Sequence, residues 1–150
     1  MKLKKILKRK GYTSIKLKRT ITNHYEVHVE VNGIEGRFIL DTGASNSCVD
    51  FNQAAYFKLN VIDSETLASG AGATNMKTQQ SLKNSIRLKN WQFFNFNLVL
   101  FDLSHVNIAL TQHNAREVHG IIGADILRKG KAIIDYKANR LYLKKLVFKY

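Results

Sequence analysis

The sequence predicts a single, mostly β domain, and three observations lead to this fold class. Apolar residues recur with a period of two, as in residues 25–31, where Tyr and Val alternate with Glu and His. Turn-forming pairs such as Asn32-Gly33 separate these runs. The 150 residues contain no proline and no low-complexity linker, and 45% of them are hydrophobic, which suits one domain with a buried core.

The first half of the chain predicts a hairpin followed by a short helix. Asn32 and Gly33 can adopt the positive φ angles of a tight turn, so they join the strand at 25–31 to the returning segment "GRFILDT". That second strand is expected to end at Asp41. Residues 50–58, "DFNQAAYFK", predict a short helix with Asp50 near its N-cap.

The second half predicts successive strands, a short helix and a closing hairpin. The strands run from about residue 64 to residue 103, with breaks at the glycine-rich "SGAGAT" and near Asn90. The segment "HGIIGADIL" then predicts a buried strand and a short helix from about Ala124 to Lys129. The remaining residues predict a terminal hairpin that turns at 137–140.

The net charge of +13 is concentrated in the first nineteen residues, which hold nine of the 24 Lys and Arg residues and no Asp or Glu. The other 131 residues carry 15 basic and 11 acidic groups, a net charge of only +4. Residues 1–19 are therefore predicted as a basic N-terminal arm leading into the first strand, and residues 20–150 as the domain. Such an arm can be solvated, can bind phosphate weakly, or can dock on an acidic partner.

Targeting features are weak in this sequence. The start has the basic flank of a signal peptide but no apolar run of the length that such a peptide needs. No stretch approaches the length of an apolar transmembrane helix. We therefore expect a cytoplasmic location.

Two cofactor motifs are incomplete. "SGAGAT" has two glycines in the spacing of a dinucleotide fingerprint but lacks the third glycine and a following helix. His24 and His28 could share a strand face and bind a metal ion, but a third ligand in register is missing, so surface positions are favoured. The sequence therefore predicts neither a metal nor another cofactor.

Nucleophilic catalysis is possible in principle but carries no signature. No "G-x-S-x-G" elbow and no cysteine-protease pattern surrounds the candidate nucleophiles. A lone cysteine is more often a small buried apolar residue. The conceivable groups are Ser45, Ser47 and Cys48, with His105 or His119 as a base.

Asp41 is the most unusual residue, because it follows the apolar run Phe38-Ile39-Leu40 directly and precedes Thr42-Gly43. The simplest interpretation is a strand-ending turn in which Asp41 and Thr42 bond to the backbone. The Asp-Thr-Gly tripeptide, however, is followed about thirty residues later by a glycine-tipped hairpin. About eighty residues later an apolar pair runs into glycine, in "HGIIGADIL".

These pieces, in this order from about Tyr25 to Leu143, resemble the retropepsin-like aspartic proteases. The resemblance implies a closed acid-protease β-barrel with one or two short helices and a glycine-tipped flap hairpin, active as a symmetric homodimer. It implies that Asp41 is the catalytic residue. The supporting residues of its loop would be Thr42, Gly43, Ala44 and Ser45. The substrate-binding flap would comprise Ser69, Gly70, Ala71, Gly72 and Ala73. The residues packed beside the site would be Ile121, Ile122 and Gly123.

The chemistry of the family explains the expected homodimer. Two carboxylates that share one proton can activate a water and polarise a peptide carbonyl, because two such close charges cannot both ionise. This chain has one Asp-Thr-Gly, so a second copy must supply the second Asp41. The implied substrate is a peptide or protein segment in extended conformation, covered by the flap.

Three functions are compatible with the sequence. The first is a homodimeric aspartic endopeptidase. The second is a catalytically silent, dimeric adaptor that binds extended peptides in the same cleft. The third is a basic protein that binds nucleic acid or a membrane surface and in which Asp41 is only a turn residue. The long segment 91–118 and the basic arm have no counterpart in the minimal pattern of the family.

Overall fold

The computed structural model describes residues 2–70 and 73–146, with side chains described outside 63–76. Within this part the chain folds into eleven strands and three α-helices. The helices are α1 (Lys2–Arg9), α2 (Ser104–Gln112) and α3 (Ala124–Lys129). The strands are β1 (Tyr12–Lys16), β2 (Lys18–Arg19), β3 (Tyr25–Val31), β4 (Ile34–Leu40), β5 (Cys48–Asp50), β6 (Val61–Gly70), β7 (Ala73–Leu88), β8 (Trp91–Phe101), β9 (Gly120–Ile122), β10 (Ile133–Asp135) and β11 (Arg140–Lys144).

Six of the strands close into a barrel. The larger sheet has the order β2-β3-β4-β9-β5-β8-β7-β6, and β3 pairs in addition with β7. That extra pairing, Glu30 with Arg87 and Val31 with Ile86, joins the two ends of the β3-β4-β9-β5-β8-β7 series. The remaining strands form a smaller sheet in the order β1-β11-β10. The predicted fold class, a mostly β closed barrel with few helices, is confirmed.

Strand β9 lies between β4 and β5, which flank the loop that contains Asp41. It runs parallel to β4, with Leu40 opposite Ile122, and antiparallel to β5, with Cys48 opposite Ile121. A parallel neighbour requires a long crossover connection, here supplied by residues 41–119. The 41–47 loop therefore emerges at the end of β4 and is fixed against the end of β9.

The barrel interior is filled by branched and aromatic side chains that are almost wholly buried. Phe38, Val49, Leu100 and Ile122 are each 0–1% exposed and come from the strands around the Asp41 loop. Each such side chain contributes on the order of 2 kcal/mol by leaving water. Trp91 is fully buried and donates its indole N–H to the carbonyl of Lys144 at 3.0 Å, which connects the barrel to the smaller sheet.

The locally encoded elements agree with the sequence predictions. Strand β3 spans Tyr25–Val31, and the turn that follows has φ +53° at Asn32 and +82° at Gly33. Helix α3 spans Ala124–Lys129 as predicted. The last two strands are joined by residues 136–139, close to the predicted turn.

The short helix predicted for residues 50–58, with Asp50 near its N-cap, is present only in part. Only Phe51–Gln53 form a single 3₁₀ turn, and Asp50 makes no side-chain cap. Asp50 instead is 6% exposed, and its carboxylate accepts a hydrogen bond from the N–H of Leu103 at 3.4 Å. The side chain of Phe57 is fully buried, so packing of this segment against the barrel outweighs its helical tendency.

Residues of the predicted basic arm take part in regular structure. After α1, strand β1 pairs along its whole length with β11, from Tyr12 opposite Lys144 to Lys16 opposite Arg140. Ile15 and Leu17 are buried in the main core. The segment that was predicted to lead into a first strand at Tyr25 therefore contains β1 and β2. No helix in the described part of the chain is both long enough and apolar enough to cross a membrane.

Candidate active site

The loop between β4 and β5 holds Asp41 in a fixed position at the barrel surface. The backbone N–H of Asp41 donates to the carbonyl of Ile122 at 2.9 Å, which continues the β4–β9 pairing by one residue. The carboxylate Oδ1 accepts a hydrogen bond from the N–H of Gly43 at 2.9 Å. Asp41 is partly exposed, and the next residues, Thr42 and Gly43, are exposed. The apolar strand is thus buried, but it delivers the carboxylate to the surface of a single chain.

Two glycines let the backbone approach this loop. A Cβ at Gly43 would lie 3.3 Å from Asp41 Oδ1, a tight contact with the carboxylate. A Cβ at Gly123 would lie 2.6 Å from the carbonyl oxygen of Ala44. That same carbonyl accepts the N–H of Ala124 at 2.7 Å, so the start of α3 is pressed against the loop.

Ser47 and Asp125 connect the loop to α3 through a buried cluster of hydrogen bonds. The Ser47 hydroxyl donates to Asp125 Oδ1 at 2.6 Å and accepts the N–H of Gly123 at 2.8 Å. The N–H of Ser47 lies 2.9 Å from both carboxylate oxygens of Asp125. Ser47 is fully buried and Asp125 is partly exposed, so these bonds are shielded from water at their Ser47 end. They fix the end of the Asp41 loop to the helix that follows β9.

Replacing Ser47 with Ala is expected to lower the free energy of unfolding by about 2–3 kcal/mol, because it removes a bond to a carboxylate and leaves the buried N–H of Gly123 unpaired. Urea unfolding followed by circular dichroism measures this change. Ser45→Ala in the same loop is the matched control, since Ser45 is exposed, and it should change stability by less than about 0.5 kcal/mol. Equal unfolding midpoints for the two variants would contradict the assigned role of Ser47.

A cavity of about 780 Å³ opens beside Asp41. Asp41 is the only acidic residue among the described residues that line it. Strands β4 and β9 contribute Ile39 and Ile121 to its lining, and α2 contributes Val106 and Leu110, which pack against them. The cavity is therefore mostly apolar around one carboxylate, the type of surface that accepts an apolar side chain of a ligand.

The hairpin of β6 and β7 includes the residues expected to form a flap. Its two strands pair antiparallel, and the last pair is Gly70 opposite Ala73. Ser69 belongs to β6, and its side chain, like that of Ala73, is outside the described part. Ala71 and Gly72 lie outside the described residues. The described backbone thus places Ser69, Gly70 and Ala73 at the end of a long hairpin.

Two of the three alternative nucleophiles, Ser47 and Cys48, are buried, whereas Ser45 is exposed. Burial raises the pKa of the Cys48 thiol to about 12, so the thiol stays protonated near neutral pH. Ser47 is engaged with Asp125 as described above. Burial also lowers the pKa of His119, with a further decrease from the Arg37 guanidinium. The ring of His119 stacks on Tyr56 and its Nδ1 accepts the N–H of Arg37 at 2.9 Å, which suits a packing role.

The two histidines considered as a metal pair have separate partners. His24 Nδ1 lies 2.8 Å from the hydroxyl of Thr22, and His28 Nδ1 lies 3.1 Å from Glu35 Oε1. In the described part of the chain, no three His, Cys, Asp or Glu side chains cluster as cation ligands.

Two features of this site were not predicted from the sequence. The contact of Ser47 with Asp125 joins residues 78 positions apart, and the only local signal was an acidic residue in the first turn of α3. Helix α2 was not predicted either, although it supplies one wall of the cavity. Its nine residues show little amphipathic pattern, because only Asn107 and Leu110 are buried.

Comparisons with known proteins agree with this arrangement. The model of the aspartyl protease family matches residues 27–126, which include Asp41, β9 and the first residues of α3. No curated protein matches the chain in sequence.

Three solved structures with this fold are similar to the chain at low sequence identity. A retropepsin-like aspartic protease from Rickettsia conorii is 18% identical with a TM-score of 0.59, and the match covers 90% of this chain and 91% of that one. EIAV protease, complexed with the inhibitor HBY-793, is 19% identical with a TM-score of 0.56, covering 85% and 96%. The retroviral protease-like domain of Ddi1 from Leishmania major is 17% identical with a TM-score of 0.51, covering 81% and 93%.

These structural likenesses show a retropepsin-like fold, and the family match spans about two thirds of the 150 residues. Together with the Asp-Thr-Gly loop held against β9, they lead to one conclusion: the chain belongs to the aspartyl protease family.

Proposed function

We propose that the protein is an aspartic endopeptidase, and that its active form is a symmetric homodimer in which each subunit supplies one Asp41. The single observation that carries the proposal is the position of this carboxylate. Asp41 is held by Gly43 and by β9 at the edge of a 780 Å³ cavity, and it is the only acidic residue among the described lining residues.

The exposure of the loop supports a second copy. Thr42, Gly43 and Ser45 are exposed in the single chain, although they follow a buried strand and belong to a loop that is bonded to β9 through Asp41 and to α3 through Ala44. A partner packed on this surface would cover them and bring the second Asp41 close to the first. A two-fold axis through the loop achieves this with one self-complementary contact.

The chemistry requires both carboxylates. The ionised Asp41 accepts a proton from a water molecule as that water attacks the peptide carbonyl. The protonated Asp41 of the other subunit donates to the carbonyl oxygen. Two carboxylates about 3 Å apart share one proton because their like charges cannot coexist, so each holds the state that the reaction needs. The Gly43 N–H fixes the orientation of the carboxylate before substrate arrives.

The substrate is proposed to be a peptide in extended conformation. Its backbone would pair with the hairpin of β6 and β7, where Ser69 to Ala73 would act as the flap. An apolar side chain of the substrate would enter the cavity that Ile39, Ile121 and Leu110 line. Closure of the hairpin would exclude water from the dyad and strengthen its electrostatic interactions.

The dimer requirement is tested by mixing subunits. Specific activity on a peptide library should rise with chain concentration, since only dimers carry the complete dyad. When equal amounts of parent chain and Asp41→Asn variant exchange freely, about one quarter of the dimers keep two Asp41 residues. Activity should then be about one quarter of that of parent chain at the same total chain concentration, or about half of that of the parent portion measured alone.

Two outcomes would contradict the proposal. If the mixture keeps the full activity of the parent chain that it contains, and if specific activity does not depend on concentration, each subunit works alone. Dimerisation and peptide binding without cleavage by the parent would indicate an adaptor with the same fold. Analytical ultracentrifugation of the same samples separates failure of association from failure of chemistry.

A further inference from the structure

A second cavity, of about 390 Å³, is separate from the one beside Asp41. The two cavities share no described lining residue, although α2 contributes side chains to both. The volume lies within the range of small-molecule sites, about 300–1,000 Å³. Most of the residues that line this second cavity are polar, so we call it the polar cavity. Its charged and titratable lining residues are Arg37, Asp50, Glu117 and His119.

Three of these residues form a row across neighbouring strands. Arg37 belongs to β4 and Asp50 to β5, the strands on either side of β9, and His119 directly precedes β9. The N–H of His119 donates to the carbonyl of Arg37 at 2.8 Å, and its carbonyl accepts the N–H of Asp50 at 3.0 Å. Residues that are paired in this way point to the same face of a sheet. The side chains of Arg37 and Asp50 therefore share one face, and two strand spacings, about 10 Å, separate their backbones.

Asp50 carries a largely buried carboxylate with too few donors. The residue is 6% exposed, and among the described residues its side chain accepts only the N–H of Leu103, at 3.4 Å, longer than the usual distance of about 2.7–3.2 Å. None of the ion pairs in this part of the chain includes Asp50. The side-chain atoms that are both enclosed and unpaired there belong to Ser14 and His105, so the second carboxylate oxygen of Asp50 remains accessible. A carboxylate in such surroundings is stabilised by a cationic donor.

Arg37 supplies a positive charge at the other end of the row. Its Nε donates to the carbonyl of Glu117 at 3.0 Å and lies 3.8 Å from Glu26 Oε1. Glu26 also accepts a hydrogen bond from Arg116 Nη2 at 3.0 Å, so one carboxylate faces two guanidinium groups and cannot neutralise both. The terminal nitrogens of Arg37, Nη1 and Nη2, have no hydrogen-bond partner among the described residues. These terminal donors are suited to a carboxylate of a ligand.

His119 offers a further donor between these two groups. Its Nδ1 accepts the N–H of Arg37 at 2.9 Å, so the proton of the neutral ring is on Nε2. Burial lowers the pKa of His119, and the Arg37 guanidinium lowers it further, which keeps the ring neutral near pH 7. Stacking on Tyr56 fixes the plane of the ring. The Nε2–H group has no hydrogen-bond partner among the described residues, so it can donate to an oxygen of a ligand.

We propose that the polar cavity binds a small zwitterion, a dipeptide. Asp50 accepts hydrogen bonds from the ammonium group, and Arg37 and His119 donate to the carboxylate. A purely anionic ligand would meet the carboxylates of Asp50 and Glu117, and a purely cationic ligand would meet Arg37, so a ligand with both charges is the best complement. The distance between the strands of Arg37 and Asp50 favours a dipeptide over a free amino acid, whose charges are closer together. This inference does not depend on the proposed catalytic role of Asp41.

Isothermal titration calorimetry of the unaltered full chain tests which charges of the ligand are recognised. Alanyl-alanine should bind. N-acetyl-alanyl-alanine lacks the ammonium group and alanyl-alanine amide lacks the carboxylate, so each should bind at least about tenfold more weakly, because each loses charge-assisted hydrogen bonds. Free alanine should also bind more weakly than alanyl-alanine, because it does not span the row.

Three variants locate the dipeptide in the polar cavity. Asp50→Asn keeps the size of the side chain and an oxygen that can accept the Leu103 N–H. Its affinity for alanyl-alanine should fall at least about tenfold, and the preference over the acetylated dipeptide should disappear. Asp102→Asn is the matched control, because Asp102 also accepts a backbone N–H, from Ser104 at 2.8 Å, but does not line the cavity. Asp102→Asn and Asp41→Asn should both bind alanyl-alanine like the parent, and thermal unfolding verifies that every variant is folded.

Four results would overturn the proposal. The first is the absence of binding of alanyl-alanine at millimolar concentration. The second is equal or tighter binding of free alanine or of either blocked dipeptide, which would show that the cavity does not recognise the two separated charges. The third is an equal loss of affinity in Asp50→Asn and Asp102→Asn, which would indicate a general effect of charge. The fourth is loss of binding in Asp41→Asn, which would place the dipeptide in the cavity beside Asp41.

Discussion

Replacing Asp41 with Asn is expected to lower kcat/KM for peptide cleavage by on the order of 10³-fold or more, because an amide can neither accept the proton of the attacking water nor donate as a carboxylic acid does. The shape of the side chain is kept, and its oxygen can still accept the Gly43 N–H at the 2.9 Å position. Initial rates on a peptide library, measured at chain concentrations that favour dimers, provide the comparison.

The matched control for this variant is Asp135→Asn. Asp135 is also a partly exposed carboxylate that accepts backbone N–H groups, from Lys137 at 2.9 Å and Ala138 at 3.1 Å, but it is the last residue of β10, in the smaller sheet. It should keep the parent activity. Cleavage that Asp41→Asn leaves unchanged would refute the catalytic assignment, and equal losses in the two variants would point to a nonspecific effect of charge removal.

Elements with a complete local signal could be predicted from the sequence. Strand β3 has strict alternation over seven residues, and its following turn has the Asn-Gly pair that tolerates positive φ. Helix α3 is short, but it begins directly after Gly123 and ends before Gly130, so its ends are marked. In each case neighbouring residues alone determine the backbone.

Elements that depend on distant contacts could not be predicted in the same way. Helix α1 is basic along its length, and its order depends on a single anchor, Leu7, and on β1 pairing with β11 at the other end of the chain. Strand β1 has only five residues, so its pairing with β11 determines its structure more than its own residues do. The segment after Asp50 has residues that are compatible with a helix, but the burial of Phe57 determines its backbone conformation.

The candidate site also has one part that the sequence indicates and another that depends on distant contacts. The Asp41 loop could be recognised because it has a specific order of residue types. A carboxylate follows an apolar strand, and a hydroxyl and a glycine come next. The hydrogen bonds that hold it involve Ile122 and Asp125, which the fold brings from about eighty residues away. Side-chain partners at that separation follow from strand order, which a single sequence does not specify.

The largest expected effect on stability is that of Gly120→Ala. A Cβ at this position would lie 2.2 Å from the carbonyl oxygen of Cys48 and 2.5 Å from the Phe38 ring. Gly120 belongs to β9, between β4 and β5, so neither neighbouring backbone can move without breaking its pairing. We expect a loss of at least about 3 kcal/mol in the free energy of unfolding, measured by urea unfolding, or failure to fold.

Gly130→Ala is the matched control, because its added Cβ would meet a side chain and not a backbone. The nearest atom is Leu143 Cδ2 at 2.7 Å, and this atom ends a flexible side chain that can shift. Gly130→Ala should therefore cost at least about 1 kcal/mol less than Gly120→Ala. If the two variants unfold at the same urea concentration, the close approach of β9 to the backbone of β5 does not limit stability. The tight position of β9 would then fail to explain how the Asp41 loop is held.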